Sequence, residues 1–322
     1  MQDNATYGFQ AHLSPEFPSQ IVVDVTEFCN LACIHCPQAE FSKSESFQGR
    51  YLGIELHKKL IDEVARDGTG YCKYLRYTAQ GEPLLHPKFV NMVEYAANNA
   101  GVPINITTNG MLLTEKKVNS LLKAGVDVID ISIDANTPET YARIRKKGDL
   151  NIVRKNALRL LEVRRENHYN TRVVVSFVEQ PLNKNESADF EKFWKDSGAD
   201  YVIIRRLHSA GGIKRELVQI DRRRSPCLYP WERLTLSPDE FIHFCPQDWM
   251  HGSVVCDFNK NTIKEVWQGE FMRMLREAHL ENDFSKHSFC GQCPDWSTTR
   301  WPNEGRSYSN MMRESLNNPA VK

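Results

Sequence analysis

The chain lacks an excess of either charge: 41 Lys and Arg balance 41 Asp and Glu across 322 residues. With no long-range field of one sign, nothing draws it to nucleic acid or to an anionic membrane. Short basic runs such as Arg222-Arg223-Arg224 read as solvated faces. It also lacks an apolar stretch long enough to span a bilayer, and Met1–Gln20 is polar, without the apolar core of a secretory signal. The cytoplasm is therefore the expected compartment, where thiols stay reduced. Internal repeats and low-complexity segments are missing as well, apart from polar termini. Nine cysteines in such a chain argue for metal rather than for disulfides.

Three of them, Cys29, Cys33 and Cys36, fall within eight residues, directly after the apolar run Ile21–Val25. A tetrahedral structural zinc needs a fourth protein ligand, and none follows for a long way. A [4Fe–4S] cluster held by three thiolates instead leaves one iron open to bind something else. Cys227, Cys245, Cys256, Cys290 and Cys293 form a second group in the last third of the chain, and Cys72 stands alone.

From Ile21 to Leu207 short β-rich runs alternate with amphipathic stretches. The predicted strands are Ile21–Glu27, Tyr74–Ala79, Pro103–Thr108, Val126–Asp134, Arg172–Val178 and Tyr201–Leu207. Several are nearly continuous β-branched runs, as strands covered on both faces should be. The predicted helices are Glu55–Arg66, Pro87–Asn98, Glu115–Ala124, Asn151–Asn167 and Ser187–Ser197, with Thr114 and Ser187 as N-caps and Gly101 and Gly125 as stops. Six βα units with right-handed crossovers give an α/β fold, a full or partial parallel barrel. Its chemistry belongs at the C-terminal ends of the strands, where the three-cysteine loop lies. After Gly211-Gly212 the rhythm changes to a turn-rich, Cys- and Trp-rich region with one helix near Thr262–Ala278. The expected division is an N-terminal extension 1–20, a barrel 21–212 and a small cysteine-organised domain with a tail, 213–322.

Cys29-x3-Cys33-x2-Cys36 after a first strand, followed by this βα series, resembles the radical S-adenosylmethionine (SAM) superfamily, whose fold is a partial (β/α)6 TIM-like barrel. The resemblance spans roughly Ile21–Leu207, and further motifs fall in order. Gly81-Glu82-Pro83 is similar to the motif that binds the SAM amino group. Asn109 lies in a second familiar segment, Thr107–Gly110. Ser132 stands where the family often binds ribose or carboxylate, and His35 where it often places a residue near adenine. Arg143, within Thr140–Arg145, is assigned to the SAM carboxylate, because a guanidinium fork matches a carboxylate. The resemblance implies reductive cleavage of SAM to a 5′-deoxyadenosyl radical that takes hydrogen from an unactivated C–H bond, with the protein supplying orientation and exclusion of side reactions. It also implies an external electron donor such as flavodoxin or ferredoxin.

The spacing of Cys227, Cys245 and the Cys290-x2-Cys293 hairpin resembles the shortened "twitch" form of the SPASM extension, as in enzymes of the 2-deoxy-scyllo-inosamine dehydrogenase type. It implies one auxiliary [4Fe–4S] cluster with all four sites filled, suited to electron transfer; a structural zinc stays open as the other occupant. Cys256 is the candidate hydrogen-atom donor if the reaction is an epimerisation, and otherwise a small buried hydrophobe. Gln80, Glu179, Arg205, Arg206, His208 and Trp249 are candidates for the barrel mouth; alternation sends only one of Arg205 and Arg206 inward. His243 and His251 read as structural. The expected activity is dehydrogenation or epimerisation at a carbinol carbon of a sugar- or cyclitol-like small molecule. The short segment before the first strand argues against a fused peptide-recognition or cobalamin domain. A peptide-modifying enzyme and an iron–sulfur or zinc-stabilised binding module are the alternatives.

Overall fold

Apolar β-branched strands hide both faces only when helices cover the sheet, and the chain from Gln20 to Arg206 is built that way. The computed structural model describes residues 7–9, 13–220 and 223–302; Arg222, much of the predicted N-terminal extension and the tail beyond Pro302 lie outside the described residues. In chain order the barrel part runs β1 (Gln20–Val23), β2 (Ala32–Cys33), α1 (Gln38–Phe41), α2 (Ile54–Asp67), β3 (Tyr74–Tyr77), α3 (Phe89–Asn99), β4 (Ile104–Thr108), α4 (Glu115–Lys123), β5 (Val128–Ser132), α5 (Pro138–Ile144), β6 (Arg145–Lys146), α6 (Leu150–Glu166), β7 (Arg172–Glu179), α7 (Ser187–Asp196) and β8 (Tyr201–Arg206). There follow α8 (Tyr229–Glu232), β9 (Arg233–Leu236), β10 (Phe241–His243), β11 (Val254–Asp257), α9 (Ile263–Gln268), α10 (Glu270–Glu281) and α11 (Ser288–Gln292).

One nine-stranded sheet has the order β11-β10-β9-β1-β3-β4-β5-β7-β8. Strands β1, β3, β4, β5, β7 and β8 are mutually parallel neighbours, so the α/β fold and the partial barrel expected from the sequence are present. The cysteine-rich region continues this sheet: β9 pairs in parallel with β1, Val22 opposite Thr235, and β10 and β11 extend it antiparallel. The backbone thus crosses the expected 212/213 boundary by hydrogen bonding.

Strand alternation separates two environments. Ile129 and Ile131 of β5, with Val173, Val175 and Phe177 of β7, face the helices in the main core. Tyr74, Val128, Val174 and Ile203 turn the other way and form a small apolar plug inside the barrel. Two residues further along the same strands stand Arg76, Asp130, Ser176 and Arg205, a polar layer above that plug.

Two local expectations change. The predicted helix near Thr262–Ala278 is two helices, because the chain is extended at Gly269 (ψ 164°), which caps α10. Thr262 starts the first of them with a reciprocal capping box to Glu265. Ser187 is the first residue of α7 rather than its cap; Glu186 holds that position. Among the described residues no helix is long and apolar enough to cross a membrane.

Candidate functional site

The loop after β1 folds back so that β2 pairs with β6, placing Cys33 opposite Arg145. The three thiols of this loop face one another: each of Cys29 and Cys36 feels the charge of Cys33. Burial first of all pushes all three thiols up, Cys29 to about 12. Thiols raised in this way become thiolates when a metal binds them. A cation beside them is Arg145, whose Nη1 lies 3.9 Å from Cys33 Sγ. Burial of that guanidinium is outweighed by Asp134 and Cys33, which hold it charged. Asp134, fully buried, grips Arg145 at 2.6 Å and lies 3.7 Å from His35 Nε2.

The loop after β3 closes over the cysteine loop. Glu82 N donates to Phe28 O at 2.8 Å. A Cβ at Gly81 would stand 2.0 Å from Thr26 O, so only glycine permits this approach. Ala79 takes a φ of 128° to enter the turn, a strained value for a residue with a side chain. Pro83 opens a one-turn 3₁₀ helix, Pro83–Leu85. Asn109 lies beneath, its Nδ2 2.8 Å from Asn30 Oδ1 within the cysteine loop. Ser132 ends β5 two residues past Asp130, on the lumen side by alternation. His35 is half-buried, its buried Nδ1 lacking a partner, and desolvation, against Asp134, lowers its pKa to about 4. A neutral ring with an orphaned nitrogen suits a neighbouring heterocycle.

Two SAM-contact expectations need correction. Arg143 is exposed on α5, whereas Arg145 is buried at the cysteines. Helix phase explains the exchange: Thr137 caps α5, and Tyr141 and Ile144 form its buried face, which excludes position 143. The Glu82 carboxylate is consumed internally, accepting from Thr108 Oγ1 at 2.6 Å, Asn109 N at 2.8 Å and Leu84 N at 3.2 Å. Its role is to hold the loops after β3 and β4 together.

The lumen layer under the mouth is charged. Asp130 accepts from Arg205 and Ser176, and Arg76 lies 3.6 Å from it and 3.1 Å from Thr107 Oγ1. Arg205 is thus the inward member of its pair, while Arg206 and Glu179 are exposed. Gln80 bridges to the cysteine-rich region, Nε2 donating to Asp248 O at 2.6 Å. Trp249 packs against Phe41 and Ala210 in a cluster that Cys36 joins. His208 follows β8, its Nδ1 accepting from Ala210 N at 3.1 Å.

Cys227, Cys245, Cys290 and Cys293 line one cavity, walled by Tyr229, Phe244, Phe289 and Trp296. Burial raises all four thiols, Cys227 to about 11 and Cys293 to about 12. Arg224 stacks on Phe284 at 4.0 Å and donates to Gly291 O at 3.0 Å, pinning the hairpin that carries Cys290 and Cys293. Among the described residues, neither cysteine set has three sulfurs within 4.8 Å of one another. A tetrahedral zinc thiolate has sulfurs about 3.8 Å apart, from Zn–S of about 2.3 Å. The thiols at both sites are the donors that an iron–sulfur cluster takes.

Cys256 does not join either set. It pairs with Ile242 and packs on the outer core, with Lys59 of α2 and Glu265 of α9 as charged neighbours. The structure does not bring the candidate donor to the barrel mouth. Cys72 is buried, Sγ 3.7 Å from Tyr74 O.

A partial barrel with three cysteines past its first strand, and a four-cysteine cavity after the last, is the frame of an iron–sulfur enzyme. The sequence profile of the Radical SAM superfamily matches residues 23–179, and that of an iron–sulfur cluster-binding domain, SPASM, matches 227–294. Residues 23–179 of this chain thus form a radical SAM domain, and residues 227–294 a SPASM domain. SAM, a [4Fe–4S] cluster and an auxiliary iron–sulfur cluster are its cofactors. GTP 3′,8-cyclase of Desulforamulus reducens is 31% identical over 54% of this chain and 51% of its own length, so the chain spans about half of that relative. Among solved structures, BtrN in complex with AdoMet and 2-DOIA has a TM-score of 0.58 at 19% identity, over 86% of this chain and 92% of that one. Streptococcus suis SuiB bound to precursor peptide SuiA has a TM-score of 0.66 at 13% identity, over 93% and 74%. At these identities the structural likenesses establish the fold.

Proposed function

We propose that the protein is an oxidoreductase that dehydrogenates a carbinol carbon of a sugar- or cyclitol-like small molecule. The observation that carries this reading is the lumen layer of Arg76, Thr107, Asp130, Ser176 and Arg205 directly beneath the mouth. A floor of guanidinium, carboxylate and hydroxyl groups offers donors and acceptors to a polyhydroxylated substrate and suits an apolar side chain poorly. We assign Cys29, Cys33 and Cys36 as ligands of the SAM-binding cluster in 21–212, and Cys227, Cys245, Cys290 and Cys293 as ligands of one auxiliary cluster in 213–322. We assign Arg145, Asn109, Ser132 and His35 to the orientation of SAM. When bound, these groups supply a 5′-deoxyadenosyl radical and an acceptor for the second electron. An external donor such as flavodoxin or ferredoxin provides the first electron.

The position of Cys256 favours dehydrogenation over epimerisation, since no thiol of the second cysteine group outside the four-cysteine cavity faces the mouth. The test is product analysis with reduced holoenzyme, SAM and a panel of aminocyclitols, sugars and peptides. The reading requires a ketone product two mass units lighter, formed together with 5′-deoxyadenosine. A product of unchanged mass in light water that gains one deuterium at carbon in heavy water, or turnover of peptides alone, overturns it.

A further inference from the structure

Outside the cysteines the structure assembles one more set of metal-ligating groups. Asp239 sits in the turn between β9 and β10, His243 ends β10, and His251 lies in the turn that leads into β11. One ligand atom from each falls within 4.8 Å of the others, the only such group among the described residues. The two imidazoles converge on one carboxylate oxygen: His251 Nδ1 is 2.7 Å and His243 Nε2 3.1 Å from Asp239 Oδ2. Ligand atoms around a tetrahedral ion at about 2.0 Å stand about 3.3 Å apart, so the His251 contact with Asp239 opens from 2.7 Å and the His243 contact from 3.1 Å to admit an ion.

The surroundings are those of a metal ligand. His243 Nδ1 faces Asp248 Oδ2 at 3.4 Å, which orients the ring so that Nε2 points at the shared position. Asp248 is itself fixed by the backbone N–H groups of Met250, Gly252 and Ser253. A carboxylate holding the far nitrogen of a ligating histidine is the usual outer partner in such sites. An open cavity of about 400 Å³ borders Asp239 and His251, with Glu45, Ser46 and Arg50 across it, leaving room for water ligands.

We propose that Asp239, His243 and His251 form a mononuclear site for a divalent transition metal, separate from both iron–sulfur centres. Two imidazoles and one carboxylate select zinc or ferrous iron over magnesium or calcium. The ion would staple the β9–β10 turn to segment 249–253, the segment that starts at Trp249 beside Cys36 and follows Cys245. Its role is to fix the connection between the two cysteine centres. In this role His243 and His251 are ligands and not structural groups alone.

The experiment uses cluster-loaded holoenzyme, stripped of loosely held metal with EDTA and then titrated with Zn²⁺ against a chromophoric chelator. One equivalent of zinc is expected, with nitrogen and oxygen scatterers at about 2.0–2.1 Å by X-ray absorption and no sulfur at about 2.3 Å. His251→Ala, at a partly exposed position, should weaken binding at least tenfold, as even outer-partner losses do, with iron content unchanged; Asp239→Asn should do the same. Absence of stoichiometric zinc, sulfur ligation, or affinity indifferent to His251→Ala overturns the proposal.

Discussion

Arg145 Nη1 lies 3.9 Å from the sulfur of Cys33, while its Nη2 and Nε sit 2.6 and 2.8 Å from Asp134 Oδ2. The pair delivers a fixed positive charge to the edge of the three-cysteine loop. Removing the guanidinium leaves Asp134 buried and unpaired. Arg145→Met should therefore destabilise the fold by about 3–5 kcal/mol and lower iron retention in the first site, whereas exposed Arg143→Ala should leave both unchanged. Thermal unfolding with iron analysis checks this; equal behaviour of the two variants would remove Arg145 from the site.

Glu82 holds two loops with one carboxylate. Glu82→Gln replaces one acceptor oxygen by a donor facing Asn109 N or Thr108, and a buried unmatched group costs about 1–3 kcal/mol. SAM affinity should fall with stability, since Asn109 leans on Asn30. Isothermal titration alongside denaturant melts distinguishes this from a direct contact, which would lower affinity alone.

Asp24 ends the run after β1, and burial raises its carboxyl to about 8 against the opposing N–H groups of Gln80, Thr26 and Gly81. An acid raised in the folded state adds stability below its unfolded value of 3.8 and loses it as pH climbs through about 8. Asp24→Asn should therefore gain on the wild type as pH rises across that window, by up to about 1.4 kcal/mol per pH unit. Urea unfolding at mildly acidic and mildly alkaline pH measures it, and parallel curves would contradict it.

Trp249 covers Cys36 together with Phe41, their ring centroids 5.6 Å apart. Trp249→Ala should open that side of the first site and destabilise by about 3–5 kcal/mol. The visible absorbance of the reduced-then-aired protein should bleach faster, with Trp249→Phe intermediate.

Cys256→Ala should retain wild-type turnover, because its thiol sits among Lys59 and Glu265 on the outer face. Steady-state assay of the variant decides; loss of activity with intact clusters would return the thiol to the mechanism.

The barrel was legible because its strands are double-buried, and such runs announce themselves whatever their partners. The cysteine sets were legible because loop ligands keep short spacings. Other features depend on registers that no local pattern carries. Strands β9–β11 have three or four residues each, and β9 finds β1 across the whole chain. The Asp130 layer needs five strands, β3 to β8 in sheet order, in register before Arg76 and Arg205 both reach Asp130. The choice of Arg145 over Arg143 needed only the phase of α5, which the Thr137-Pro138 start would have supplied.

The central claim is that the Cys29, Cys33, Cys36 loop alone starts the chemistry. The direct measurement is 5′-deoxyadenosine released from SAM under strong reductant by wild type, Cys33→Ala and Cys290→Ala. Wild type and Cys290→Ala should both cleave SAM, and Cys33→Ala should not. Release undiminished in Cys33→Ala would contradict the account.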